Sequence, residues 1–222
     1  MSGRPSPTMS DDLESLGGLI RDALTSIPPP TSRRLLTKAI YETLKSSHAI
    51  RTALDRQFGG PVKCRYPGCP PVDRKGKRPR KVLGYLWDLS FSRFAIPQAI
   101  EQEIPISPPG KYEILLVIES ELGSAHEICR DLLKLLDARA KIRCLIYRQP
   151  TDRQRLHARM VRVMRNHAHF DPETEQFLLV GLTWRPGQLQ VQAYTLSADG
   201  SQVIEIANLG KCPRVVSPRP RQ

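Results

Sequence analysis

Apolar residues recur at helical spacing through the first quarter of the chain and gather into strand-like runs after it. Leu35, Leu36, Ala39, Ile40 and Leu44 repeat at intervals of three and four, which predicts a helix opening at Thr31 or Ser32. Ahead of it, Asp11 or Asp12 can cap a helix running to about Ile27, where Pro28-Pro29-Pro30 stops it. His48 to Phe58 reads as a short third helix, closed by Gly59-Gly60-Pro61. Beyond this point Val82 to Phe91, Tyr112 to Glu121, Ile142 to Tyr147 and Phe177 to Trp184 are expected strands, and Ile96 to Gln102 a helical turn. Ser124, with Glu127 as its capping-box partner, opens a helix to about Ala140; Asp152 opens another to about His167. Strand, helix, strand, helix, strand with short connections predicts a parallel core with right-handed crossovers. Turns at Arg185-Pro186-Gly187-Gln188 and Asp199-Gly200 lead into the alternating strand Leu189, Val191, Ala193, Thr195 and a short one, Val203 to Ala207. These extend the sheet in antiparallel fashion.

The same pattern divides the chain. Residues 1–10 are a Pro-, Arg- and Ser-rich tail expected to be disordered, 11–58 a helical segment, 59–80 a basic Gly/Pro-rich loop, 81–210 an α/β core and 211–222 a basic tail. Charge sharpens the picture: 34 Lys and Arg against 22 Asp and Glu leave +12, which favours a polyanionic partner, nucleic acid before an acidic membrane. Aromatics make up only 6% of the chain, so a base-stacking platform has little material. An apolar run long enough to span a membrane is absent, as is the apolar core of a secretory signal. The five cysteines, Cys64, Cys69, Cys129, Cys144 and Cys212, are scattered, which fits a reduced, cytoplasmic protein.

Chemistry concentrates where the run from Tyr112 to Ile118 ends in Glu119-Ser120-Glu121. Side chains alternate along a strand, so Glu119 and Glu121 are expected on one face, about 7 Å apart. Two like charges held that close at low dielectric repel unless a cation or proton lies between them. Asp88, in Tyr85-Leu86-Trp87-Asp88-Leu89-Ser90, adds a third acid on a neighbouring apolar strand. Three such carboxylates suit Mg²⁺ (or Mn²⁺), which takes oxygen ligands and lowers the pKa of a bound water. Convergence on one ion requires that Asp88 not lie across the sheet from Glu119.

Asp88, the Glu119-Ser120-Glu121 strand end and the helix–strand pair after it resemble the PD-(D/E)xK, or restriction-endonuclease-like, nuclease superfamily. The likeness covers roughly residues 81–182, and Trp87-Asp88-Leu89, Ile118-Glu119-Ser120-Glu121-Leu122-Gly123 and Asp131 to Ala140 look like an uncharacterised bacterial group within it. It implies an α/β fold with a mixed central sheet flanked by helices and an N-terminal helical segment. It also implies Mg²⁺-dependent phosphodiester hydrolysis in double-stranded DNA, in genome defence or repair, by a homodimer or larger complex. Asp88 and Glu119 would hold the metal. Glu121 stands where the family usually carries Lys; some restriction enzymes of this fold also have Glu there. It would complete the metal site or act as base. Lys134 is a candidate for a displaced lysine, and Glu42 for the acid an N-terminal helix sometimes contributes. The alternative is a chain that kept the fold, lost the chemistry and serves as a nucleic-acid-binding or assembly subunit.

Other signals are weaker. Arg74, Lys75, Lys77, Arg78, Arg80 and Lys81 form a basic run that can contact phosphates or simply be a solvated loop. Arg153, Arg155, Arg159, Arg162 and Arg165 are spread round one expected helix with no evident need for so much charge. Cys64 and Cys69 lack further partners for a zinc site and read as loop thiols; His167 and His169 lack the spaced partner of a zinc motif and read as loop residues.

Overall fold

The computed structural model describes residues 9–28, 32–60, 62–65, 88–95, 111–168, 170–172, 174–185 and 188–206. Within them the helical periodicity near the N-terminus gives α1 (Met9–Thr25), α2 (Arg33–Ser46) and α3 (His48–Phe58). Ser32 caps α2 by accepting the Leu35 N–H, and Ser47 caps α3 by accepting that of Ile50. Such caps each stabilise a helix by about 1 kcal/mol. α1 begins slightly ahead of Asp11 and Asp12, within the latitude with which helix ends are set.

Seven strands form one mixed sheet in chain order: β1 (Lys63–Arg65), β2 (Leu89–Ala95), β3 (Lys111–Glu121), β4 (Ala140–Arg148), β5 (Gln176–Arg185), β6 (Gln188–Leu196) and β7 (Val203–Glu205). β3, β4 and β5 are parallel, joined by α4 (Ala125–Leu136) and α5 (Arg153–Arg165); the remaining pairs are antiparallel. The expected α/β class, parallel centre and antiparallel extension are all present. Among the described residues no helix is long and apolar enough to cross a membrane.

Three boundaries differ from expectation. The first is the strand expected from Val82 to Phe91: the described strand begins at Leu89, and Asp88 occupies a bend in front of it. Pairing decides this, since Leu89 opposite Ile118 is the first partnered residue. The second is the loop expected at 59–80, which contributes β1, whose Cys64 pairs with Phe91 at the sheet edge. A three-residue edge strand needs no apolar pattern of its own. The third is the helix expected to reach Ala140, which stops at Leu136 because Ala140 already pairs with Ile114 in β4. Met9 and Ser10, expected in the disordered tail, already belong to α1. Residues 1–8 of that tail, residues 82–87, the turn at Ile96 to Gln102, the basic run from Arg74 to Lys81, the C-terminal tail, Cys69, Cys212, His169 and Ala207 lie outside the described residues.

The sheet separates two apolar layers. On one face Leu16, Ile20 and Leu24 of α1, Leu36, Ile40 and Leu44 of α2, and Ile50 and Leu54 of α3 cover Leu116, Ile118, Cys144 and Val180. On the other, Ile128, Leu132 and Leu135 of α4 and Leu156, Met160 and Met164 of α5 cover Val117, Leu145 and Leu179. Full burial of each such side chain is worth roughly 1.5–3 kcal/mol. α1 approaches the sheet through Gly17, where a Cβ would come within 2.6 Å of Ile206 Cδ1 and 3.1 Å of Leu178 Cδ2. Gly17→Ala is therefore expected to lower stability, overpacking of about 1–3 kcal/mol exceeding a helix-propensity gain of about 1. At Gly18 the nearest atom is Arg21 Nη2 at 3.7 Å, so Gly18→Ala keeps that gain and raises stability. Urea titration of the two variants checks the opposite signs.

Candidate metal centre

Alternation along β3 puts Glu119 on the face of Val117, beneath α4, and it is only 1% exposed. Lys134, in the last turn of α4, brings its Nζ to 3.3 Å from Glu119 Oε2 and 2.9 Å from Oδ1 of buried Asp131. One ammonium thus serves two acids. Glu119 Oε1 is shielded from solvent and, among the described residues, has no hydrogen-bond partner.

Asp88 enters from the neighbouring strand. Leu89 pairs with Ile118 in antiparallel register, so Asp88 stands next to Glu119 at the open end of the β2–β3 ladder. Its Oδ2 accepts the Ser120 N–H at 2.9 Å, as well as the hydroxyl of Tyr41, which reaches in from α2. Strand N–H groups point along the sheet, so the Asp88 carboxylate sits at the sheet's own level rather than across it from Glu119. Both carboxylates therefore have the same division of labour. One oxygen is held by the protein, and the other receives no hydrogen bond among the described residues.

Electrostatics reflect this crowding. Burial and then the Asp88 charge push the Glu119 carboxyl up to about 8, and Lys134 opposes them without reversing the shift. Burial lowers the Lys134 ammonium, but its hydrogen bond to Asp131 and the Glu119 charge outweigh this and hold it above the usual lysine value. Burial, with the Asp88 charge beside it, lifts the Tyr41 phenol far above its ordinary range, so the hydroxyl remains a donor.

Asp88, Glu119 and Lys134 come together. Glu121 does not join them: as the last residue of β3 it turns its Oε1 onto the Gly123 N–H at 2.6 Å and Arg33 Nη2 at 3.1 Å. Gly123 makes this possible, because a Cβ there would lie 2.6 Å from Glu121 Oε1 and 2.7 Å from Arg33 Nη2. Glu42 is exposed on α2; its neighbour Tyr41 lies on the buried face with Ile40 and Leu44 and makes the contact instead. Tyr41, Asp131 and Arg33 were not among the site residues expected from the sequence. Asp131 carried a legible signal, since it lies three residues before Lys134 on the same helix.

Among the described residues no group of three or more His, Cys, Asp or Glu side chains converges closely enough to hold a metal ion. A two-carboxylate site remains. Mg²⁺ commonly binds through one or two carboxylates, keeping waters and substrate phosphate as its other ligands. The unpartnered Glu119 Oε1 and its neighbour Asp88 fit that donor set. Elsewhere, burial pushes the Cys64 thiol up to about 11, and His167 Nε2 lies 3.2 Å from Asp137 Oδ1 on an exposed turn. No protein family, no curated protein and no solved structure matches this chain.

Proposed function

We propose that the chain is a restriction-endonuclease-like, Mg²⁺-dependent nuclease that hydrolyses phosphodiester bonds in DNA. The observation carrying this reading is the pair of half-used carboxylates at the β2–β3 end with a lysine against one of them. Asp88 Oδ1 and Glu119 Oε1 would hold the ion, which when bound supplies an acidified water and neutralises charge on the phosphodiester. Tyr41 and Ser120 fix Asp88 from behind. Lys134 holds Glu119 in place and gives the site the positive charge that orients an attacking water. Glu121 is left out of the ligand set and anchors Arg33, whose side chain is 56% exposed, so its remaining N–H groups can meet a phosphate.

A second reading, a nuclease-like fold serving as a binding or assembly subunit, is favoured by the absence of a three-carboxylate cluster among the described residues. Incubating the purified chain with duplex and single-stranded DNA in Mg²⁺, Mn²⁺ or EDTA separates the two. The nuclease reading expects metal-dependent cleavage that Asp88→Ala abolishes. Cleavage insensitive to that substitution, or none with either metal, selects the subunit.

A further inference from the structure

The α5 helix has a surface that the metal centre does not use. Its sequence, RQRLHARMVRVMR, contains five arginines and no acidic residue. Leu156, Met160 and Met164 form the buried face. At 100° per residue, Arg155, Arg159, Arg162 and Arg165 fall on the opposite side, as a stripe about 15 Å long. All four are exposed, and among the described residues none pairs with a carboxylate. Arg153 lies apart, with Nη1 3.5 Å from Gln192 Oε1.

Such a stripe works against its own helix. Arg155 and Arg159 are four apart, and Arg159, Arg162 and Arg165 follow at intervals of three, so like charges neighbour one another along the whole face. A merely solvated helix intersperses acids and gains from them; this one has none to offer. We infer that the α5 arginine stripe is a nucleic-acid backbone track, which delivers the strand to the proposed metal centre. The inference rests on that reading for its substrate and extends it to a surface far larger than the two carboxylates. α5 packs beside α4, the helix carrying Lys134, and the Arg159 charge is felt at Cys129 of α4, so track and centre share one layer. Guanidiniums recurring every three or four residues along one helix suit a repeating phosphate chain and can engage a phosphate bidentately. A lipid surface fits less well, because none of the exposed large apolar residues, Leu35, Leu133 and Ile204, lies on α5 for insertion.

The test is equilibrium binding of a labelled 20-base-pair duplex in EDTA, followed by fluorescence anisotropy from low to moderate salt. Arg159→Gln and Arg162→Gln should each weaken binding and reduce the slope of log K against log salt by about 0.9, the double variant by about twice that. Arg34→Gln, an exposed change of equal charge on α2, should leave the slope unaltered. The α5 variants should also melt no lower than wild type, since they relieve repulsion. An unchanged slope in the α5 variants overturns the track, as does an equal loss in Arg34→Gln. Binding to phosphatidylserine vesicles with no binding to duplex overturns it too. A chain whose duplex binding depends on α5 but which neither cleaves nor responds to Mg²⁺ keeps the track and loses the nuclease reading. Mg²⁺-dependent cleavage with an unchanged slope does the reverse.

Discussion

Glu119→Gln is expected to raise the thermal midpoint of the metal-free protein at pH 8, to leave it nearly unchanged at pH 5, and to diminish its response to Mg²⁺. The folded-state pKa of Glu119 is about 8, against about 4.3 for an unstructured glutamate. Between those values the native chain holds a proton that the unfolded chain has released. Stability therefore falls as pH rises through this window, and above pH 8 the full penalty of the buried charge is present. Glutamine carries no charge at any pH and removes the penalty, which is about 5 kcal/mol at most by the size of the shift. At pH 5 the folded glutamate is protonated and all but about 1 kcal/mol of the penalty has gone, so the two melting curves should draw together. Added Mg²⁺ should raise the wild-type midpoint at pH 8 more than the variant's, because it stabilises the state whose ligand set is complete. Midpoints measured from pH 5 to 9, with EDTA and with Mg²⁺, read all of this. Parallel midpoint-versus-pH lines would show that Glu119 bears no unusual charge in the folded chain.

The helices and central strands were legible because their signals are local. Caps such as Ser32, Ser124 and Asp152, and the apolar runs around Leu116, Leu145 and Leu179, each announce an element within a few residues. The candidate centre was legible in part. Alternation correctly gave Glu119 a buried position, and an acid before Leu89 correctly pointed to its neighbour. What escaped was long-range or terminal. Glu121 ends its strand, and there the alternation rule yields to whichever donors the following turn supplies, here Gly123 and Arg33. Tyr41 rather than Glu42 reaches the centre because the hydrophobic face of α2 decides which side chains point inward, and at 100° per residue adjacent positions part company. Strand β1 could not be read at all, since three residues at a sheet edge borrow their order from β2.

Lys134→Ala should separate metal binding from catalysis. Among the described residues the substitution removes the only ammonium in contact with Glu119, and leaves Asp131 with no cation nearer than Arg130 Nε at 4.0 Å. Breaking a fully buried pair costs about 3–5 kcal/mol, but the Lys134 side chain is 36% exposed, so a loss of about 2 kcal/mol is expected at pH 8. The loss should shrink toward pH 5, where Glu119 takes up a proton and no longer requires a cation. In wild type the folded-state pKa of Lys134 lies above the ordinary lysine value, so its contribution persists through neutral pH and disappears only in strong alkali. Mg²⁺ provides the decisive comparison. With the ammonium gone, the site is more negative while Asp88 Oδ1 and Glu119 Oε1 are untouched, so Mg²⁺ should raise the variant's midpoint at least as much as it raises wild type's. Cleavage should nonetheless be lost, because nothing remains to orient the attacking water. A Lys134→Ala protein that melts like wild type at pH 8 would show the ion pair to be idle. One that melts lower yet cleaves DNA at the wild-type rate would make Lys134 a structural cation and leave the chemistry to Asp88 and Glu119.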